Sequence, residues 1–212
     1  MATLGEKIKS SLVKIGSKIN VFAAGSGESV ATEYIDYDIN IRTSNPFHRE
    51  FFLETVFPYD TESNAGDVVE FDATGQHHIV MTKSPVIFQN AIIENDNVLY
   101  RCNVSGELSR PASILDPDSD ESEHYLNVFT LVRSNCYALM TESNYDNEWH
   151  TGKDFGDYAE RELFLYLPGD IGIQTEDRYS PVSGEYYSVG IIRRNVYANT
   201  DVAVLSEDTR EV

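Results

Sequence analysis

The side chains best suited to chemistry in this chain are two adjacent histidines, in the stretch GDVVEFDATGQHHIV (residues 66–80). Adjacent imidazoles would suit a metal centre or a proton-transferring pair. Neighbouring residues on a β-strand point to opposite faces, however, so His77 and His78 cannot share one ion without a bulge. The glycine turn before the pair and the apolar run after it indicate the start of a strand. We therefore predict a structural pair rather than a metal site.

A second group with metal-like spacing is Asp116, Asp118 and Asp120, which matches the first three ligands of a calcium-binding loop. The match fails at the sixth position, where Glu121 replaces glycine, and at the twelfth, where Asn127 replaces glutamate. We interpret this segment as a solvated acidic loop and predict no metal site. Weak binding of a cation at millimolar calcium stays open.

The common catalytic motifs are absent from the sequence. There is no G-x-S-x-G elbow, no H-E-x-x-H pair, no phosphate-binding glycine loop and no dinucleotide fingerprint. The two cysteines, Cys102 and Cys136, are far apart in sequence, and we interpret both as small buried apolar residues. The sequence therefore gives no support for an enzyme, and we predict no cofactor.

The charge of the chain is strongly acidic, with 35 acidic and 16 basic residues and a formal net charge of -19. A protein that grips nucleic acid needs clustered lysine and arginine to neutralise phosphates, so this class is disfavoured. A channel through which DNA slides is compatible with repelling charge. No signal peptide and no apolar run of about 20 residues is apparent, so we expect a protein made and used in the cytosol, without a membrane.

The N-terminal segment has the apolar spacing of an amphipathic helix, which we predict over residues 1–22. Thr3 and Glu6 form a capping box at its start. Lysines occupy the other positions. Two interpretations are open: the apolar stripe covers a sheet, or it docks on a neighbouring subunit or partner. The stripe consists of Leu4, Ile8, Leu12, Ile15 and Ile19.

After residue 30 the apolar pattern changes to a period of two, which is typical of strands with one buried face. Many such runs follow, separated by Gly, Pro, Asn and Asp. We predict a mainly β region over residues 30–212, an antiparallel β-barrel or sandwich, preceded by the amphipathic helix and interrupted by long polar loops.

Two of these loops stand out by composition. One, residues 115–124, is acidic, and the other, residues 141–158, mixes polar residues with aromatic ones. A polar loop with aromatic side chains is either a contact surface or packs back onto its own barrel. The acidic loop carries Asp116, Asp118, Asp120, Glu121 and Glu123.

A faint internal repeat links residues 49–104 and 161–210. REFFLETVFP in the first resembles RELFLYLPG in the second. An aspartate followed by a glycine, one polar residue and two ring-bearing residues also occurs in both. Tyr186 and Tyr187 take the places of His77 and His78, which supports a structural role for the histidines.

The second repeat also resembles a known family. The sequence EDRYSPVSGEYYSVGIIRR, followed by DVAVLSEDTR, is similar to the D-R-hydrophobic, turn, G-x-Y-Y-x-V hairpin of head-completion and stopper proteins from tailed bacteriophages. These small β-barrels form the neck between portal and tail. The segment SPVIFQNAIIENDNVLYRCNV (residues 84–104) also resembles parts of phage neck and connector proteins. The resemblance covers residues 161–210 well and about another fifth of the chain loosely.

This resemblance implies a structural virion protein with no catalytic residues. It would form a six- or twelve-fold homo-oligomeric ring in the neck, assembled in the host cytoplasm, with a portal or adaptor protein and tail proteins as partners. DNA would pass through without sequence-specific binding. We expect the helix stripe to dock on a partner and the acidic loop to face the channel or a rim. The alternative is a tail-associated β-sandwich that recognises a surface glycan through Tyr145, Trp149 and Tyr158.

Overall fold

The structure, a computed structural model, describes residues 2–23, 28–38, 51–115, 125–142 and 163–210. These residues form one α-helix, one short 3₁₀ helix (Gly169–Ile171) and twelve strands. The helix and the first six strands are α1 (Leu4–Ile15), β1 (Ser17–Phe22), β2 (Ser29–Asp38), β3 (Phe52–Pro58), β4 (Val68–Phe71), β5 (Gln76–Phe88) and β6 (Ala91–Arg101). The other six are β7 (Val104–Leu115), β8 (Tyr125–Thr141), β9 (Leu163–Pro168), β10 (Arg178–Ser180), β11 (Tyr187–Tyr197) and β12 (Thr200–Glu207).

The strands close into two antiparallel barrels, which confirms the prediction of a mainly β fold with one N-terminal helix. The first barrel has the order β1-β2-β3-β6-β5-β4 and the second has the order β7-β8-β9-β12-β11-β10. Closure pairs the first and last strand of each sheet, so neither barrel presents an open sheet edge. The predicted single β region is thus two barrels in succession.

The predicted helix end at Phe22 is wrong, because α1 ends at Ile15 and residues 17–22 form β1. Gly16 adopts an extended conformation, and a Cβ at this position would lie 2.6 Å from the Leu12 carbonyl oxygen and 2.8 Å from that of Ile35. Beyond it, Ile19 and Val21 alternate with polar residues and face the barrel interior. The position of Ile19 fits both the helical spacing and the alternation of a strand. The strand is favoured because it buries Ile19 in the core of the barrel. The predicted capping box at Thr3 and Glu6 is present.

The two barrels are two versions of one fold, with the same strand order and matching ladders. The turn before the fourth strand makes the same backbone bond in each. The Gly66 N–H donates to the Val80 carbonyl at 2.8 Å, and the Glu176 N–H donates to the Val189 carbonyl at 2.7 Å. These anchors, together with the strand registers, give positions in the first barrel an equivalent in the second.

Each barrel has its own apolar core. The first encloses Ile19, Val21, Ile35, Phe57, Val69, Phe71, Val80 and Leu99. The second is built around a larger side chain, Tyr179, which takes the place of Val69. Gly106, in the place of Ile19, leaves room for it, because a Cβ there would lie 2.6 Å from the tyrosine ring. The equivalent interiors therefore conserve volume by exchanging a large and a small residue between neighbouring strands.

A short linker joins the barrels and is bonded to both. The Cys102 N–H donates to the His77 carbonyl at 2.9 Å, and the Asn103 N–H donates to the Ala138 carbonyl at 3.1 Å. The Asn103 side chain also exchanges two bonds with the Met140 backbone: its amide nitrogen donates to the carbonyl at 2.7 Å, and its oxygen accepts from the N–H at 2.8 Å. These bonds fix where the second barrel begins.

Candidate assembly surfaces

The two histidines lie in a strand, as predicted, and point to opposite faces of it. His78 points inward, is 2% exposed, and meets the Phe71 ring edge-on at 5.0 Å. Burial lowers the pKa of His78 to about 4, so its imidazole is neutral at pH 7. His77 points outward and stacks on Tyr137 of the second barrel, with ring centroids 3.7 Å apart. One histidine packs the core and the other packs the contact between barrels.

Each barrel has an aspartate at the turn before its fourth strand, and the carboxylate shapes that turn. Asp67 accepts a bond from the Asn64 N–H at 2.6 Å, and Asp177 accepts one from the Gln174 N–H at 2.8 Å. In the second barrel Arg110 adds a two-pronged ion pair to Asp177, with bonds of 2.8 and 2.9 Å. The aspartates found by sequence similarity are therefore turn-forming residues.

The arginine of the D-R motif belongs to a buried ionic network. Arg178 donates to the Asp208 carboxylate at 2.7 Å, and these side chains are 3% and 1% exposed. Arg210 binds the same carboxylate through two nitrogens at 2.8 Å. Hydrogen bonds from the two arginines hold the pKa of Asp208 well below its usual range. The Arg178 guanidinium also lies 3.6 Å from the centre of the Phe129 ring. The network fastens residues 208–210 onto the second barrel.

The barrels meet through a third apolar cluster, which is lined on one side by the outer face of β8, β9 and β12. The buried members are Ile79, Met81, Tyr100, Leu139, Phe164, Tyr166 and Val202. Tyr100 and Tyr197 also bring their hydroxyls within 3.4 Å across the contact. At the rim, the Asn199 side chain donates to the Ala65 carbonyl at 3.0 Å. The outer face of the second barrel is thus covered by the first.

On the equivalent outer face of the first barrel, which is formed by β2, β3 and β6, carboxylate side chains are exposed. One row across these strands is Asp36, Val56 and Asp96, where the second barrel has Leu139, Tyr166 and Val202. The next row has Asp38, Glu54 and Val98. These six residues line a groove of about 620 Å³, which we call the acidic groove. Its floor is apolar and its rim is formed by carboxylates.

The predicted docking stripe is divided between two elements. Leu12 is buried against the first barrel, and Ile19 lies in β1 inside that barrel, so neither is available to a partner. Ile8 is half-buried. Leu4 and Ile15 are exposed, at 43% and 83%. The helix therefore covers its own barrel, with one apolar edge left open.

Two sets of residues named in the sequence lie outside the described part of the chain. One is the acidic loop, with Asp116, Asp118, Asp120, Glu121 and Glu123. The other is the group of aromatic residues assigned to glycan recognition, Tyr145, Trp149 and Tyr158. Both assignments stay predictions.

A crevice of about 400 Å³ opens between the barrels beside the His77–Tyr137 stack, with Glu70 and Arg133 on its walls. Within the described ranges, no group of three or more potential metal ligands occurs. Burial raises the pKa of the Cys136 thiol to about 11, so it is protonated at neutral pH. Among the described residues, no helix is long and apolar enough to cross a membrane.

Comparison with known proteins identifies no relative: no protein-family model, no curated protein and no solved structure matches this chain.

Proposed function

We propose that this chain is a structural virion protein of a tailed-phage neck, forming a ring of identical copies between portal and tail through which DNA passes. The observation that carries the proposal is the repeated barrel. Each barrel is built on an aspartate turn followed by a glycine-turned hairpin, and the version at residues 177–189 is the sequence that resembles stopper and head-completion proteins.

The chemistry of the described residues supports a structural role. The side chains that sequence analysis singled out for reactivity have packing roles: the histidines stack on rings, and the aspartates of the repeat hold turns. The conspicuous ionic group, Arg178 with Asp208 and Arg210, fastens one segment of the barrel to another. These are the contacts of a rigid building block.

The net charge of -19 also fits a ring around DNA. A surface that repels phosphate lets the duplex move without being held, whereas clustered arginines and lysines would bind it. Charges separated by more than about 8 Å are screened at physiological salt, so only residues near the lumen would act on the DNA.

Light scattering and electron microscopy of the purified full-length chain, alone and mixed with a portal protein, test the proposal. We expect a closed ring with a central opening wide enough for duplex DNA, and no retention of DNA at physiological salt. A chain that stays monomeric under both conditions, or one that binds a glycan as a monomer or trimer, would overturn it.

A further inference from the structure

The acidic groove of the first barrel corresponds to a surface that is already known to receive a protein face. In the second barrel the same two rows of strand positions form the outer face that packs against the first barrel. The acidic groove also adjoins that contact, because Val98 packs against the apolar cluster between the barrels. The groove is therefore the counterpart, in the first barrel, of an established interface.

The acidic groove has the chemistry for a basic, partly apolar occupant. Val56 and Val98 are half-buried and form its floor, whereas Asp36, Glu54 and Asp96 are exposed on its rim. Close spacing of the carboxylates is evident at the adjacent Glu94, whose pKa is raised by burial and by the charge of Asp96. An apolar occupant without positive charge would leave these carboxylates desolvated and unpaired.

The dimensions of the acidic groove suit an α-helix. It crosses three strands that lie about 4.8 Å apart, so it is about 10 Å wide. An α-helix with its side chains has a diameter of about 10–12 Å. The carboxylates on β2 and β6 are then placed to reach both sides of a helix seated over Val56.

The chain carries one element that matches these requirements. α1 contains three lysines and one glutamate in an otherwise acidic protein. Lys9 is held by Asp60 at 2.6 Å in the same chain, but Lys7 and Lys14 are exposed and have no ion-pair partner within the described part of the protein. They share one side of the helix with exposed apolar residues. We call this side the lysine face: Leu4, Lys7, Ser11, Lys14 and Ile15.

The lysine face cannot reach the acidic groove of its own chain. α1 packs against β2, β3 and β6 through the side that carries Leu12, which is buried, and Gly5, which lies close to the Tyr59 ring. At 100° per residue, Lys14 lies about 200° around the helix from Leu12. The lysines therefore point away from the strands that carry the groove.

We propose that the acidic groove binds the lysine face of α1 from a second copy of this chain. Lys7 and Lys14 then pair with the rim carboxylates, while Leu4 and Ile15 cover the valine floor. The two surfaces differ, so the contact is head-to-tail and continues from copy to copy until a ring closes. The inference rests on the proposed ring, because it names the contact that joins neighbouring copies.

Zero-length crosslinking of amines to carboxylates tests the contact directly. A mixture of ¹⁴N- and ¹⁵N-labelled full-length chains is crosslinked at physiological salt and analysed by mass spectrometry, so that links between copies carry mixed labels. We expect mixed-label links from Lys7 or Lys14 to Asp36, Glu54 or Asp96. A ring without such links would overturn this inference and leave the proposed function intact.

Charge reversal gives a second readout. We expect K7E/K14E alone, or D36K/D96K alone, to weaken self-association by about tenfold or more, because each loses two exposed ion pairs and gains repulsion. Mixing the two variants should restore association between them. The control E185K changes an exposed carboxylate on the second barrel and should leave association unchanged. Failure of the mixed variants to associate, or equal weakening by E185K, would contradict the pairing.

The number of copies in the assembly distinguishes the proposed contact from the proposed ring. A reciprocal dimer joined by the predicted links would support the contact and overturn the ring. A chain that stays monomeric at all concentrations, with or without a portal protein, would overturn both.

Discussion

The two barrels share a strand order and a turn, yet their equivalent outer faces are opposite in character. In the second barrel, Leu139, Phe164 and Val202 point outward and are buried against the first barrel. In the first barrel the equivalent positions are Asp36, Glu54 and Asp96, which are exposed. The difference shows that interior positions specify the barrel, whereas a few exterior positions decide what each barrel contacts. The apolar outer face of the second barrel therefore packs against the first barrel, whereas the charged outer face of the first barrel cannot form the same apolar contact with a further barrel.

The largest expected effect on stability comes from placing the charged residue of one outer face at the equivalent position of the apolar outer face. Phe164 is 6% exposed between the barrels, and its equivalent is Glu54. Phe164→Glu should lower the free energy of unfolding by about 4–5 kcal/mol, because it buries an unpaired carboxylate in an apolar contact. Urea denaturation followed by circular dichroism measures this. The reciprocal change, Glu54→Phe, should shift stability by less than about 0.5 kcal/mol. Equal effects of the two would show that the faces do not differ.

The next effect concerns the ionic network, which within the described ranges is found in the second barrel and not in the first. Asp208→Asn leaves the buried Arg178 without its charge partner and should cost about 3–5 kcal/mol. The equivalent positions in the first barrel hold Val68 and Cys102. A chain with both Arg178→Val and Asp208→Cys should therefore be more stable than the single variant. Denaturant midpoints compare them, and a double variant that is the less stable of the two would contradict this account.

A smaller effect is expected at the turn before the fourth strand. Gly66 has a φ of +92°, and a Cβ there would lie 2.4 Å from the Asn199 carbonyl oxygen. Gly66→Ala should destabilise the protein by about 2–3 kcal/mol through backbone strain and displacement of the second barrel. The equivalent Glu176 already adopts a φ of 72° with a side chain. Glu176→Gly, the matched control, should be neutral or stabilising by up to about 1 kcal/mol. Thermal unfolding of both variants checks the pair.

The smallest effect is a pH dependence of the first barrel, whose buried His78 is replaced in the second by Tyr187. The pKa of His78 is about 4 in the folded protein and near 6.5 when unfolded, so below pH 6.5 the unfolded chain binds the extra proton. Stability should therefore fall by on the order of 1 kcal/mol between pH 7 and 5.5. Asp208, with its depressed pKa, loses its contribution only below about pH 4.

Chemical denaturation at the two pH values measures this slope. His78→Phe should remove most of it, whereas His77→Tyr should remove a smaller part, because burial lowers the pKa of His77 too but His77 is only half-buried. An unchanged slope in the His78 variant would show that another group titrates.

Some of this architecture is predictable from the sequence because local patterns carry it. The alternating runs, the capping box at Thr3 and the strand containing the histidines follow from periodicity and turn chemistry. The predicted helix end is wrong because Ile19 satisfies a spacing of four as well as the alternation of β1. The repeat was visible in sequence only around β3 to β6 and β9 to β12. In the remaining strands equivalent core positions differ in size, as Ile35 and Ala138 do.

The acidic groove could not be predicted from the sequence. Its carboxylates come from three separate strands, and Asp36, Glu54 and Asp96 each look like the solvent-facing residue of an ordinary amphipathic strand. Only the register of β2, β3 and β6 brings them together. The importance of the groove also depends on its apolar equivalent in the second barrel, which is a property of the folded chain.

The linker at Asn103 has a mechanical consequence. Two residues, Cys102 and Asn103, span at most about 7 Å when extended, and each is bonded to a different barrel. Because the Asn103 side chain also makes two hydrogen bonds with the Met140 backbone, the linker leaves little freedom for the two barrels to rotate relative to each other. A force applied to one barrel therefore moves both barrels together as one rigid body. Such stiffness would suit the neck ring proposed above, which has to keep its shape while DNA passes through it.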